Sequence, residues 1–449
     1  MTLAVGLLLV AVFLCFALSM FLERLSALLA LPLMALAFIV IAAGAEVLFA
    51  PQKVLGGGAT MFAAVEYVFR SVSAVVSHGS RELSATIIAT LFGGMFAAYV
   101  RGLKVAERMV VWAAEFAGDR PRVLCLVVLL VAGVIFTSTA GLGTVILLGT
   151  IVLPVMRSVG VGPIGASGVL LIGIAMGGTL NPVARRLWQE FYGLDPARLN
   201  TMLWIMVGLY FATGVAWIFV STRGRAISRF CAVEAEAPTT DANAPAGRVP
   251  ARLMIAPIIP IALVYALDVH ELTAFTLSIA YMYLCVCRRR GAGRVLSRSL
   301  IEGAQAVVPP VMLMIGIGML IVSLKSPAVQ GYIQPLIAAV APSTRLGYIV
   351  TFALGAPLAL YRGPLNSWGM GLAVAATLMT ASTLSPAAVL GVILAAGMLQ
   401  SVSDPTNTSN VWIANYQGVS TSQILRHTIV PVWIAAAVGV ALFGVMFVE

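Results

Sequence analysis

In TFALGAPLALYRGPLNSWGMGLA (351–373) one guanidinium, that of Arg362, stands between two apolar runs. It is charged at any working pH, and its planar fork matches a carboxylate through two parallel hydrogen bonds. Further on, SVSDPTNTSN (401–410) sets Asp404 in a similarly apolar context, beside Ser403, Thr406 and Asn407. Three roles are open to that acid. As a proton carrier it must pass between neutral and ionised forms; as a sodium ligand it stays ionised; as the ion-pair partner of Arg362 it neutralises the arginine. Small polar residues gather at comparable interruptions elsewhere. Thr137, Ser138, Thr139, Gly141 and Thr144 occur in TSTAGLGT, Asn181 in GGTLNP, Gly363, Asn366 and Ser367 beside Arg362, and Thr408, Ser409 and Asn410 after Asp404. Two tasks suit such groups. Unwound helix N-termini and a guanidinium bind an anion, for which the candidates are Arg362, Gly363, Asn366, Ser367, Ser138, Thr139, Gly141, Asn181, Thr408 and Asn410. Hydroxyl, amide and carboxylate oxygens take a coupling proton or sodium ion, for which the candidates are Asp404, Ser403, Thr406, Asn407 and Thr137.

These interruptions matter because of what surrounds them. The chain of 449 residues is 61% hydrophobic and 10% charged, against about 25% charged in soluble domains. Apolar runs long enough to cross roughly 30 Å of hydrocarbon recur from end to end, at 3–20, 26–49, 84–100, 199–220, 252–268, 271–287, 303–324 and 428–447. The pattern predicts an all-α polytopic membrane protein, embedded in a lipid bilayer. Four further apolar runs are short and paired. The runs 123–138 and 142–158 meet at TSTAGLGT, and 346–360 and 367–383 meet at YRGPLNS. Each pair reads as a re-entrant hairpin (123–158 and 346–383) whose tip stops inside the membrane, against protein or a water-filled cavity. After each hairpin comes an apolar helix that breaks, at 165–193 and at 389–418.

The two series match. Asn181-Pro182 and Asp404-Pro405 are 223 residues apart, Trp188 and Trp412 224, Tyr192 and Tyr416 224, Gly193 and Gly418 225, and the tips Gly141 and Gly363 222. Chance likeness of apolar helices would match Leu and Ala rather than Pro, Trp, Tyr and Gly. The spacing therefore predicts a duplication: a first repeat over 1–220, a cytoplasmic linker over 221–250, and a second repeat over 251–449. With non-crossing hairpins and each broken helix counted once, a repeat has five crossings, so the second enters from the opposite face. That is an inverted repeat, an architecture common among secondary transporters. Basic residues concentrate at 101–122, 221–250 and 287–300, which makes that side cytoplasmic and both termini extracytoplasmic, in the cell inner (plasma) membrane.

Other features are weaker. The net charge of +10 is spread over short loops, which fits topology and not nucleic-acid binding. The five cysteines lack metal-ligand spacing and read as packing residues. Residues 53–79 and 104–118 are mildly amphipathic and suit the interface. Arg185 and Arg186 either point into the cavity as a second carboxylate site or snorkel to the interface, with Trp188 and Tyr192 as belt residues. Glu190 is expected to be solvated or paired with Arg186. No HExxH, GxSxG, Walker lysine or paired-Asp motif is present, so an enzyme is not expected, nor is a cofactor.

NPVARRLWQEFYGL (181–194) resembles the segment of gluconate:proton symporters in which Asn-Asp precedes an aromatic and an amphipathic stretch ending in Tyr/Phe-Gly-Leu. DPTNTSNVWIANYQGVS (404–420) resembles the matching segment of citrate and C4-dicarboxylate carriers. All are families of the ion transporter superfamily. The resemblance covers most of the chain as architecture, and the tips and breaks as motif. It implies a homodimer with a scaffold part and a mobile part that carries the hairpins and broken helices. It also implies elevator-like transport coupled to protons or sodium, and binding at tips and breaks. This chain departs from the family pattern in three places: tip one lacks the Asn of Ser-Asn-Thr motifs, tip two adds Arg362, and position 182 is Pro where the gluconate pattern has an acid. The expected function is cation-coupled symport of a small organic anion of citrate, gluconate or C4-dicarboxylate type, with protons favoured over sodium. A cation/proton antiporter of the same fold is the alternative, with sodium near Asp404 as the only metal considered.

Overall fold

The computed structural model describes residues 2–21, 24–52, 60–117, 120–222, 250–367 and 371–448. The linker expected at 221–250 lies outside them except at its ends, as do Lys53 and residues 368–370 of the second hairpin. The described residues are helical throughout, with no strand. The first half comprises α1 (Thr2–Phe21), α2 (Ala27–Phe49), α3 (Met61–Glu82), α4 (Ser84–Gly102), α5 (Val105–Ala117), α6 (Pro121–Phe136), α7 (Leu142–Ser158), α8 (Pro163–Thr179), α9 (Pro182–Tyr192) and α10 (Pro196–Ser221). The second half opens with a 3₁₀ segment (Ala251–Ile258), followed by α11 (Ile259–Ala266), α12 (Glu271–Val286), α13 (Ala292–Ala306), α14 (Val308–Lys325), α15 (Pro327–Val340) and α16 (Arg345–Gly355). A second 3₁₀ segment (Ala356–Arg362) then leads to α17 (Gly371–Ala381), α18 (Pro386–Val402), α19 (Thr408–Gln417) and α20 (Thr421–Phe447).

Among the described residues six helices, α1, α2, α4, α10, α14 and α20, are long and apolar enough to cross a membrane. The expected spans 252–268 and 303–324 come out differently, and proline is the reason. Pro257 and Pro260 lack the N–H that an α-helix needs at each step, so the first of these runs begins as a 3₁₀ turn and leaves only the short α11. Pro309 and Pro310 start a new helix at Val308, so residues 303–306 belong to the amphipathic α13.

Local chemistry punctuates both broken helices in the same way. The side chain of Asn181 caps α9 by accepting the Val183 N–H at 3.0 Å, and Asn407 caps α19 by accepting the Ser409 N–H at 2.9 Å. Both second segments end on a left-handed glycine, Gly193 at φ 61° and Gly418 at φ 66°. The first pair, α8 and α9, bends by 55° at the break. Asn181 and Asn407 thus play the same capping role, and the second break is the longer, with Asp404, Pro405 and Thr406 before its cap.

Helices α8 and α18 are apolar on every face and lie at the centre of the molecule. The first packs on α6 and α10, the second on α20 and the 356–362 segment, and the two touch each other. The α6–α8 crossing is close enough that a Cβ on Gly177 would collide with the Gly133 carbonyl. Off this core, α9 is tied to α12 by a buried ion pair. Arg185 Nη1 lies 2.9 Å from Glu271 Oε1, with the two side chains 4% and 3% exposed, and Arg185 Nε donates to Asn200 Oδ1 at 2.9 Å. The Tyr265 ring covers the guanidinium face, 5.5 Å from the centroid. Arg185→Met leaves Glu271 buried without its partner and is expected to cost about 3–5 kcal/mol of stability. Arg185→Met combined with Glu271→Leu should regain most of it, as read by thermal unfolding in detergent.

Candidate functional site

Each hairpin tip is held by the break that follows it, and the two are held with opposite polarity. At the first, the Asn181 amide donates to the carbonyls of Phe136 and Thr139, both at 3.4 Å. At the second, the Asp404 carboxylate accepts. Its Oδ1 receives the Tyr361 N–H at 3.0 Å, the Thr406 N–H at 2.9 Å and the Thr406 hydroxyl at 2.8 Å. Its Oδ2 receives the Asn366 amide at 3.4 Å, and that amide also donates to the Ala359 carbonyl at 3.0 Å. Gln400, on the last turns of α18, adds a further tie by accepting the Ser367 N–H at 2.8 Å. Asp404 is 1% exposed.

The tip so held is strained. Tyr361 and Arg362 are consecutive non-glycine residues in the left-handed region, at φ 53° and 56°. That conformation costs about 1–2 kcal/mol per residue. Gly363 follows because a Cβ there would collide with the Leu358 carbonyl. Arg362, which is exposed, lines a cavity of about 180 Å³ with Asn366, Gln400, Asp404, Thr406, Asn407 and Thr408. Among the described residues no carboxylate lies within 4.0 Å of the Arg362 guanidinium. The ion pair with Asp404 is not formed; the acid instead takes the backbone N–H of the residue before the arginine. The first residue of α19, Thr408, lines the same cavity and is exposed. The guanidinium-bearing residue and the start of α19 thus line one small cavity together with Asp404.

The remaining candidates lie around this cavity or apart from it. Asn407 lines it, and its amide covers the Gln400 and Ser401 carbonyls at 3.1 and 3.4 Å. Ser403 faces away and shares a hydrogen bond with Thr428 at 2.9 Å. Asn410 lies behind the break, its amide on the Val402 and Asp404 carbonyls at 3.1 and 2.8 Å, and its Oδ1 is buried without a partner. Thr137, Ser138, Thr139 and Gly141 form the first tip, which is not part of this lining. There the Thr137 hydroxyl reaches the Val134 and Pro257 carbonyls at 2.7 and 3.3 Å, and the Ser138 hydroxyl is buried without a partner. Among the described residues no three His, Cys, Asp or Glu side chains gather as a metal site.

Three expectations for α9 are corrected. Arg185 neither snorkels nor enters the cavity but pairs with Glu271. Glu190 does not pair with Arg186; its Oε2 accepts the Thr86 N–H at 2.9 Å and caps the first turn of α4. Trp188 and Tyr192 are buried, not belt residues, because α9 packs inside the protein against α4.

Two contributors were not found from sequence. Gln400 sits in an apolar helix with no local motif. Arg101, in the last turn of α4, donates to Thr144 Oγ1 at 3.2 Å and so brings a second guanidinium to the first tip. In sequence it reads as one more cytoplasmic charge. Nothing local links it to residue 144.

No protein-family model and no curated protein matches the chain. Among solved structures it is similar to the YdaH transporter of Alcanivorax borkumensis, a protein described as having an unusual topology. The TM-score is 0.57 over 92% of this chain and 98% of that one, at 12% sequence identity. At that identity the likeness is one of fold, and the fold is that of an all-helical, multi-pass membrane protein.

Proposed function

We propose that this protein is a secondary active carrier of a small carboxylate of citrate, gluconate or C4-dicarboxylate type, driven by cation symport. The observation that carries the reading is Arg362, its guanidinium free of any carboxylate among the described residues, in the lining of a cavity that also includes the first residue of α19. A structural neighbour that is a transporter supports it. In the proposed cycle the substrate carboxylate engages Arg362 bidentately and the Thr408 end of α19. Its charge offsets the guanidinium, so the loaded site crosses the membrane more readily than the bare one, and this enforces coupling. Asp404 is the coupling group. A proton or a sodium ion arriving there competes with the Tyr361 N–H and changes the hold on the tip, and proton symport is the form proposed. The mobile part would move in elevator fashion within a homodimer in the inner membrane, with both termini outside.

The test is uptake into proteoliposomes of labelled citrate, gluconate and succinate under separately imposed proton and sodium gradients. Arg362→Ala should lower uptake efficiency about 10- to 100-fold, the loss of one charge-assisted hydrogen-bonded contact. Arg362→Lys keeps the charge, loses the fork and should fall between. Normal uptake by Arg362→Ala would end the anchor role. Loss of cation exchange in Asp404→Asn alone would favour the antiporter.

Arg362→Gly separates binding from folding. Glycine adopts the left-handed conformation without penalty, so this variant should unfold at no lower temperature than the parent while binding no carboxylate.

A further inference from the structure

The lining of the cavity at Arg362 limits what it can hold. Every described residue in it is polar, with Arg362 the one cation and Asp404 the one acid. A guanidinium serves one carboxylate well, through two parallel hydrogen bonds. A second carboxylate on the same molecule finds no second cation among these residues and meets the negative charge of Asp404 instead. An apolar tail finds no apolar side chain among them.

Gln400 bears on what the rest of the ligand carries. Its Oε1 accepts the Ser367 N–H at 2.8 Å, and because that partner is a donor, the accepting end of the carboxamide must be the oxygen. The side chain is thus held by the hairpin backbone. Gln400 is only 7% exposed, yet its amino group gives no hydrogen bond among the described residues. Nor is that group sealed in. The carboxamide of Gln417 is buried without a partner at both ends, whereas that of Gln400 is not, and Gln400 lines the cavity. In the same lining the Thr406 hydroxyl commits its proton to Asp404 Oδ1 at 2.8 Å and keeps its lone pairs. A hydroxyl on the ligand can accept from the Gln400 amino group or donate to Thr406. A carboxylate can only accept, and a methyl group can do neither.

We infer that the substrate is a hydroxylated monocarboxylate and that Gln400 is the residue that selects it, with the single carboxylate on Arg362 and a hydroxyl on the Gln400 amino group. The inference rests on the carboxylate reading of this cavity and narrows it, setting aside the citrate and C4-dicarboxylate types. An analogue without the hydroxyl displaces water from the Gln400 amino group and returns no acceptor, so it is rejected.

The full chain in detergent is titrated calorimetrically with gluconate, glycerate, butyrate, succinate and citrate, all fully ionised. Gluconate and glycerate should bind, and butyrate, succinate and citrate should bind at least about tenfold more weakly. Gln400→Glu keeps an oxygen for the Ser367 N–H and removes the donor. Its preference for gluconate over butyrate should fall about tenfold, with thermal unfolding as the check that the fold is kept. Succinate or citrate that binds as tightly as gluconate, and is lost in Arg362→Ala, overturns this inference and leaves the carboxylate reading standing. An unchanged preference in Gln400→Glu overturns the role of Gln400. Failure of every acid to bind, or binding that is unchanged in Arg362→Ala, overturns the carboxylate reading and this inference with it. The panel on the unaltered protein decides the substrate class even where Gln400→Glu does not fold.

Discussion

The hydrogen bond from the Tyr361 N–H to the Asp404 carboxylate fixes the geometry on which the cavity depends. Two consecutive non-glycine residues in the left-handed region would relax in a free peptide, since each costs about 1–2 kcal/mol. Here the strained pair is pinned at its first residue by a buried carboxylate, and a hydrogen bond to an ionised group contributes about 1.5–3 kcal/mol. Asn366 on Oδ2 and Gln400 on the Ser367 N–H hold the outgoing side of the tip. The arginine itself is not part of the clamp. It is displayed by the clamp, with its guanidinium outside every tie that positions its backbone.

The two halves reach comparable architecture by opposite chemistry. An amide at the first break donates to tip carbonyls, whereas a carboxylate at the second accepts tip N–H groups. The three extra residues of the second break supply that carboxylate. The first tip compensates from a distance: Arg101 reaches it from the end of α4, so a guanidinium is present at both tips, one within the tip and one from another helix. Capped, broken helices are common to both halves, and the differences between them lie where polar groups meet the tips.

Charges inside an apolar chain divide here by whether they are paired. Arg185 is surrounded by Glu271, Asn200 and the face of Tyr265, and serves to join α9 to α12. Glu190 caps α4. Arg362 has no such closed set of partners. It is exposed, so it bears no cost of burial without a partner, in contrast to Arg185.

Much of the frame was legible in the residues. The apolar runs marked the long helices. Asn181, Gly193 and Gly418 marked the broken helices, and Arg362 with Gly363 and Pro364 marked a tip. These are short-range effects: hydropathy, missing N–H groups at proline, and left-handed glycine act within a turn or two of the chain. The same locality explains the errors. Arg185, Arg186 and Glu190 have the same local surroundings in sequence, yet a glutamate 86 residues away from Arg185 and a threonine 104 residues away from Glu190 decided their partners. By itself the sequence determined a helical membrane chain with interrupted helices and a lone arginine at one interruption. The tertiary structure alone decided that Asp404 binds the backbone beside that arginine and leaves its guanidinium free, because hydrogen bonds between distant segments depend on how helices pack and not on any spacing along the chain.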